Sequence, residues 1–517
     1  MPSGFVIRKN QYYDSVFLMS VNRRISEVKG VQQTAVLMGS PTNKLLLQDI
    51  GVKDPQIETA QPNDLIVAVI ANTTGIVEDV LGRLDEWLNA VLETTPITQQ
   101  LRSFKEGLAI QPNANLAVIS VPGEYAAREG KKALEAGLNI FMFSDNVSIE
   151  QELKLKELAA RQGLLVMGPD CGTSLIGGVG IGFANAVRKG SIGVIGAAGT
   201  GLQEFTSQVH NAGQGISHAI GTGSHDLSDQ IGGLTTFAAL EALEADAGTR
   251  VISMVSKPPA PATLERLLSR IETCHKPVIG CFLGTEASQF SGKKNFKFAN
   301  NIDEAVGLSI GTIGVETPMV EKVISTIEQK ILSKERTTWL PEQRYLRGIL
   351  AGGTFCYQSQ QILKQAGIIV HSNKPFDPNH LLEHPDHSLE HTIVDMGDDF
   401  YMVGKPHPMI DGSMRSRRII SESQDPQVAI LLLDFILGYN ASMDPVGDLA
   451  DAIQEARNRV HKRGGALTVV TSICGTEGDP QDVNLQMKLL KDAGAIVYRS
   501  NYQATVACHW LLGKGQE

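Results

Sequence analysis

No two of the six cysteines (Cys171, Cys274, Cys281, Cys356, Cys474 and Cys508) stand in a CxxC spacing. That excludes a zinc ribbon or a dithiol redox pair and points to a reduced, cytosolic chain. Long basic runs are missing as well, and the net charge is -10, so nucleic acid is not an expected partner. No apolar run is long enough to span a bilayer. The longest in the C-terminal half, VAILLLDFILG, is interrupted by Asp434 and fits a strand buried on both faces. The opening residues MPSGFVIRKNQYYDS lack the continuous apolar segment of a secretory signal, so a cytoplasmic protein with no membrane partner is expected. What remains is ordinary globular material. Of 517 residues, 42% are hydrophobic and 20% charged, which fits more than one soluble domain.

One pattern recurs along the chain: an apolar strand, a loop of small residues, an amphipathic helix ending in Ala-Gly, and a second apolar strand. It appears in LAVISVPGEYAAREGKKALEAGLNIFMFS, in SIGVIGAAGTGLQEFTSQVHNAGQGISHAIG and in LRGILAGGTFCYQSQQILKQAGIIVHS. Its second half returns in QMKLLKDAGAIVYRS. Gly137, Gly213, Gly367 and Gly494 sit where each helix should end, a position that favours the left-handed conformation. Repeated βαβ units predict an α/β fold with mainly parallel sheets and helices on both faces. Composition shifts at VRKGS and in the charged stretch before Pro341 divide the chain at 1–187, 188–335 and 340–517. Residues 1–110 are open to separation as an α/β subdomain of their own.

The loops at strand ends are where ligands bind in such sheets. Gly196, Gly199 and Gly201 follow an apolar strand and open a helix, but their G-x-x-G-x-G pattern is not the dinucleotide fingerprint. A tight packing turn is one reading. The other is an anion site, in which free N–H groups at Gly199, Thr200 and Gly201 and the Thr200 hydroxyl face a phosphate or carboxylate. Gly438, Tyr439 and Asn440, after the most apolar strand of the third region, form a second phosphate-loop candidate. Gly352, Gly353 and Thr354 in LAGGTFC, and Gly475 and Thr476 in ICGTEGDP, are further ligand-binding candidates.

Several side chains carry two readings each. Cys171 in GPDCGTS is a nucleophile if a helix N-terminus lowers its pKa, and otherwise a buried packing residue. Asp170 beside it orients a ligand amide or caps a turn. His407, between prolines in GKPHPMID, suits a general acid/base or a structural hydrogen bond. Asp398 and Asp399 in MGDDF bind ligand hydroxyls or a cation, or simply form a solvated turn. His380, His384, His387 and His391 are spaced four, three and four apart, but Pro385 breaks the helix that would align them, so no metal site is assigned. His225 in GTGSHDLSD sits at a strand end, whereas His210 is expected on a helix surface.

Residues 163–228, from GLLVMGPDCGTS through KGSIGVIGAAGTGLQEF to GSHDLS, resemble the succinyl-CoA synthetase alpha subunit. MGDDFYMVGKPHPMID, FSDNVSIEQELKLK and MGPDCGTS together resemble the FdrA family of acyl-CoA synthetase-like proteins, and that resemblance covers essentially the whole chain. It implies a three-layer Rossmann-like domain of CoA-binding type followed by two flavodoxin-like ligase domains with parallel sheets. The last of these is similar to the CoA-ligase domain of the synthetase beta subunit. In the synthetase, two opposed helix N-termini clasp a phosphohistidine. Carried over, these are the loops at Gly199–Gly201 and Gly438–Asn440.

Departures from the synthetase narrow the chemistry. The segment FLGTEASQFSGKKNFKFAN stands where the synthetase carries its phosphorylated histidine and contains no histidine. Lys257 in SKPPA takes the place of the glutamate that contacts that histidine. No ATP-grasp domain is recognised, and LMGSPTNK is the nearest approach to a glycine-rich CoA loop. A phosphate cradle without phosphohistidine implies direct use of inorganic phosphate or of an acyl or carbamoyl phosphate, with Lys257 stabilising charge. The family resemblance links this to oxamate carbamoyltransferase, which moves a carbamoyl group from oxalurate to phosphate in allantoin breakdown and works with separate partner subunits. A CoA-binding acid-thiol ligase subunit is the second reading, and a non-catalytic scaffold or metabolite sensor the third. CoA stays open as a cofactor, and so does a homodimer.

Overall fold

The computed structural model describes residues 2–513 apart from 14, 27, 41–42, 45–46, 49, 93–100, 102, 316–323 and 403–404. Pro41 and Thr42 of the LMGSPTNK loop, the start of the charged stretch at 321–323, and Val403 and Gly404 before His407 lie outside the described residues. The chain forms two compact units, residues 1–113 with 402–406, and residues 114–401 with 407–517.

In the first unit, β1 (Ser3–Arg8), β2 (Val31–Met38) and β3 (Leu65–Ala71) make an antiparallel sheet in the order β1-β3-β2. This is the one sheet that the βαβ pattern does not describe. The period-2 rule explains its two faces. Leu65, Val67 and Val69 pack with Val21 and Ile25 of the helix Ser15–Ser26 and with Val77 and Val80 of the helix Thr74–Gly82. Ile66 and Ala68 point the other way, against Leu47, Val52 and Ile57.

The second unit holds three sheets. The smallest is parallel, β4 (Leu116–Ile119), β5 (Asn139–Met142) and β6 (Val166–Met167). Next come β7 (Thr173–Ile176), β8 (Val179–Gly182), β9 (Lys189–Gly196), β10 (Ile216–Gly221), β11 (Val251–Ser256), β12 (Val278–Phe282) and β13 (Phe296–Phe298). Their order is β13-β12-β11-β9-β10-β7-β8. The run from β9 to β13 is parallel in flavodoxin-like order, and the β7–β8 hairpin extends one edge antiparallel. The last sheet repeats that order: β15-β14-β16-β17-β18, all parallel, from β14 (Tyr345–Leu350), β15 (Thr392–Asp395), β16 (Val428–Ile436), β17 (Thr468–Cys474) and β18 (Ile496–Tyr498).

Each flavodoxin-like sheet is buried on both faces, as its unbroken apolar strands require. Ile192 and Val194 pack with Leu202, Phe205 and Val209 of the helix Gly199–Asn211, the apolar face visible in the sequence. Ile195, Ile252 and Met254 face the opposite helices. All nine residues of β16 are buried. In both sheets the chain reverses direction beside the first strand, so the first loop of each, after β9 and after β14, opens a crevice at the strand ends.

Candidate functional site

Those two first loops meet. The helix Gly199–Asn211 follows β9, and the helix Gly353–Gln365 follows β14. Their N-cap residues, Ala198 and Gly352, are extended and give no side-chain cap to either helix. A Cβ added to Gly352 would lie 3.0 Å from Thr200 Oγ1, and one added to Gly201 would lie 3.1 Å from Thr354 Cγ2. Two helix starts therefore face one another with small residues between them and first-turn N–H groups uncapped. Each helix N-terminus carries a partial positive charge and unpaired donors, so the pair forms a cradle for an anion.

Thr173, at the start of β7, adds a third element. Its hydroxyl is buried and has no hydrogen-bond partner among the described residues. It lies 3.3 Å from the place a Cβ would take on Gly199. A buried hydroxyl beside a helix start, with nothing to bond, is a donor waiting for an acceptor.

The interior of β16 shapes the second loop. Asp434 is fully buried in that strand. It accepts the backbone N–H of Ala351 at 2.9 and 3.0 Å and that of Gly352 at 2.9 Å. Arg415 Nη2 donates to it at 2.7 Å. The charge that interrupts VAILLLDFILG thus fixes the turn from which the Gly353–Gln365 helix departs.

Around the cradle stand groups of opposite charge. Lys257, exposed just after β11, lies with its ammonium 5.5 Å from the centre of the Tyr357 ring. Its charge also acts on Asp395, whose Oδ2 is 2.7 Å from the place a Cβ would take on Gly353. Burial pushes the Asp395 carboxyl up to about 6, against the pull of Lys257. The sequence offered no motif for Asp395. Its signal was positional, a carboxylate ending an apolar strand.

His407 is also near, with Nε2 3.0 Å from the place a Cβ would take on Gly397. Its Nδ1 accepts the Met409 N–H, and its ring packs on Phe183 at 5.5 Å. Burial, helped by Arg415, lowers its pKa to about 4. It is therefore neutral at ordinary pH, with its proton on Nε2, and fits a hydrogen-bond donor better than the general acid/base role its sequence invites. Asp398 bonds Lys374 at 2.6 Å. Burial is the larger cause of an upward shift at both Asp170 and Asp399; the charges of Asp145 and Asp399 add to it at Asp170, and those of Asp145 and Asp398 at Asp399.

Other candidates stand elsewhere or are occupied. The chain just before the Gly438–Asn440 loop meets the Gly199–Asn211 helix at Gln203, whose Nε2 donates to the Leu437 carbonyl at 3.3 Å, and the loop's own donors are taken. Gly438 donates its N–H to Gln481 Oε1 at 3.0 Å, Tyr439 donates to the Ala184 carbonyl at 2.8 Å, and Asn440 Nδ2 donates to the Gly182 carbonyl at 2.7 Å. This corrects the carried-over pairing: the helix start opposite Gly199–Gly201 is Gly353, and the 438–440 loop holds the chain leading out of β8. Thr476 serves the same clamp, and Gly475 holds the end of the Gly199–Asn211 helix. Thr476 Oγ1 donates to the Ala186 carbonyl, and the Gly475 carbonyl accepts from Asn211. Cys171 does not fit a nucleophile: its buried thiol is pushed up to about 12 and contacts Ser174. His210 is buried rather than on a helix surface, its Nδ1 accepting the Arg188 N–H. His225 Nδ1 lies 3.4 Å from the buried Glu152, which raises its pKa. No group of residues that could hold a metal ion occurs among the described residues.

Three family models match this sequence. A CoA-ligase domain covers residues 349–510, a CoA binding domain covers 187–279, and the AllF heavy metal-associated domain covers 1–101. The Escherichia coli K12 protein YahF is 38% identical over 517 residues, 100% of both chains. The alpha subunit of the ADP-forming succinate–CoA ligase of Methanothermobacter thermautotrophicus is 28% identical over 185 residues, 35% of this chain and 61% of that subunit. The corresponding Aquifex aeolicus subunit is 27% identical over 229 residues, 43% of this chain and 69% of that subunit. Among solved structures, a Pyrococcus horikoshii protein aligns with 78% of this chain and 85% of its own, at 15% identity and a TM-score of 0.32. A dinucleotide-forming acetyl-coenzyme A synthetase of Ca. Korarchaeum cryptofilum aligns with 81% of this chain and 85% of its own, at 19% identity and a TM-score of 0.28. Heavy-metal sites of the usual soft kind draw on thiolate, thioether or imidazole donors, and of these residues 1–101 hold only the thioethers of Met1, Met19 and Met38. Residues 1–101 contain neither cysteine nor histidine, so a thiolate or imidazole site for such a metal is missing from that region.

Proposed function

The chain belongs to the FdrA family, together with YahF and with a succinyl-CoA synthetase-like CoA-binding and CoA-ligase fold, and from that premise we propose that it is the phosphate-binding subunit of an oxamate carbamoyltransferase-type enzyme. The observation that carries this reading is the facing of two uncapped helix starts at Thr200 and Gly352. Such a cradle suits a doubly charged tetrahedral anion better than a thioester. The AllF domain match over residues 1–101 supports the same assignment. Phosphate held by the helix starts and the Thr173 hydroxyl attacks the carbamoyl carbon of oxalurate. Lys257, exposed at the rim, offsets the negative charge that grows on the carbonyl oxygen. Partner subunits supply the remaining contacts to the donor.

The test is carbamoyl phosphate formation from oxalurate by this chain with its partner subunits, measured against phosphate concentration. Saturable, phosphate-dependent turnover that Thr200→Ala weakens is the expected result. Turnover that ignores phosphate sinks the reading.

The CoA binding match at residues 187–279 favours a second reading, an acid-thiol ligase subunit. Thermal unfolding with CoA separates the two. A ligand that binds only the native state at a hundred times its Kd stabilises by about 2.7 kcal/mol. A shift with CoA and none with phosphate restores the ligase.

A further inference from the structure

We infer that Asp395 is the proton carrier of this site: its carboxyl holds a proton while an anion lies between the two helix starts, and passes protons between the phosphate and the leaving nitrogen. This rests on the phosphate-site reading above and adds the group that handles its acid–base chemistry.

The geometry singles out Asp395. It ends β15, in register with Leu350 at the end of β14. Asn373 pins its backbone from both sides, donating to the Asp395 carbonyl and accepting the Asp395 N–H at 2.9 Å each. The side chain is almost wholly buried, with its two oxygens in different roles. Oδ1 accepts the Gly397 N–H at 3.0 Å. Oδ2 points to Gly353, the first residue of the helix, and has no hydrogen-bond partner among the described residues. The nearby ammonium of Lys374 is paired with Asp398 instead. Asp395 is thus held firmly, forms no ion pair among the described residues, and turns its Oδ2 toward the anion cradle.

A carboxylate there would repel the ligand, so anion binding and protonation of Asp395 must be coupled. The charged and titratable groups facing it are Lys257 after β11, Cys356 on the Gly353–Gln365 helix, Lys374 and Asp398 in the flanking loops, and His407 across Gly397. None replaces it. The Cys356 thiol is pushed up to about 12 and the His407 imidazole down to about 4 by burial. Asp395, displaced upward into the range between, is the group matched to proton transfer near neutral pH.

The balance closes without another reactant. An oxygen of hydrogen phosphate bonds to the carbamoyl carbon of oxalurate, and the bond from that carbon to the oxamate nitrogen breaks. The nitrogen leaves with the electron pair and takes the proton of Asp395. The phosphate hydroxyl then returns a proton to Asp395. The products are carbamoyl phosphate and oxamate.

Sulfate tests the coupling, because it is tetrahedral, doubly charged and does not titrate. Calorimetry of sulfate binding near neutral pH, in buffers of different ionisation enthalpy, reads protons taken up. The wild-type chain is expected to take up a fraction of a proton per sulfate, and Asp395→Asn to bind sulfate at least as tightly with none. Binding without proton uptake, or uptake that persists in Asp395→Asn, overturns the inference and leaves the anion site standing. Failure of both sulfate and phosphate to bind removes the anion site and this inference with it. Kinetics give a second check in the assembled enzyme. Asp395→Asn should lower kcat on oxalurate about 10²-fold or more, but spare 4-nitrophenyl carbamate, whose leaving group needs no proton. Equal losses on both donors would mark Asp395 as merely structural.

Discussion

Thr200 Oγ1 stands 3.0 Å from where a methyl group on Gly352 would begin, and Phe355 Cδ2 stands equally close. The backbone at Gly352 is ordinary, with φ -96, so alanine there is resisted by space alone. Gly352→Ala should drive the two helix starts apart at a stability cost of about 1–3 kcal/mol and weaken phosphate or sulfate binding at least about tenfold, or about 1.4 kcal/mol. Gly438 is the contrast. Its φ is +120 and its added Cβ would lie 2.5 Å from the Ala184 carbonyl. Gly438→Ala should lower Tm while the surviving folded protein keeps its anion affinity. Calorimetric titration of both variants separates a cradle residue from a clamp residue.

The buried Arg415–Asp434 pair makes a different demand. Replacing a buried ion pair by apolar residues is often neutral, whereas removing one partner costs about 3–5 kcal/mol. Here the carboxylate also holds the N–H groups of Ala351 and Gly352. Arg415→Met should therefore lower stability by about 3–5 kcal/mol. A double replacement of both residues should not recover it, because those two N–H groups stay buried without an acceptor. Urea unfolding of the single and double variants decides this, and recovery in the double variant would refute the loop-holding role of Asp434.

Cys171 provides a prediction of no effect. Its thiol is buried beside Ser174 and the Thr173 carbonyl, 2.4 Å from where a Cβ on Gly221 would sit. Cys171→Ala should leave turnover within about twofold of wild type, since kinetic effects of that size are below 0.5 kcal/mol. Native protein should resist alkylation at this position until it unfolds.

How much of this was legible follows from the range of each interaction. The helix ends at Gly137, Gly213, Gly367 and Gly494 were readable because the left-handed backbone is a local demand, and all four have φ between +72 and +81. The apolar face Leu202–Phe205–Val209 was readable because its period is local too. The loop at Gly199–Gly201 was found for the same reason. Its partner is not legible there, because nothing near Gly438 or Gly352 in sequence tells which of two glycine loops meets a helix start more than a hundred residues away. That choice is made by sheet order, which sets β14 between β15 and β16, where the chain reverses direction. Asp395 and Thr173 were invisible for a related reason. Each is significant only through what it lacks, a partner for Oδ2 or for a hydroxyl, and a missing bond leaves no pattern in the chain.

Stability against pH should reveal a second buried carboxyl, Glu204. It lies on the Gly199–Asn211 helix, where Oε1 accepts the Asn501 N–H and a Gln208 N–H at 3.1 Å each and Oε2 is buried without a partner among the described residues. Burial, with Asp303 adding to it, raises this carboxyl well above the ordinary carboxylate range. The folded protein therefore holds a proton that the unfolded chain releases near pH 4.3, about the ordinary glutamate value. Its contribution is full below that pH. It is lost as pH rises toward the folded pKa, at a slope that reaches about 1.4 kcal/mol per pH unit for one proton. Glu204→Gln cannot release a proton and should remove that share of the slope. Asp303, bonded to Ser500 and Gln208 and also raised by burial, retains its own share. Urea midpoints of both proteins from acid to neutral pH should converge at the acid end and separate toward neutral, with the glutamine variant the more stable. Parallel curves would mean that Glu204 is ionised in the folded protein, and the helix packing around Asn501 would then have to accommodate a charge.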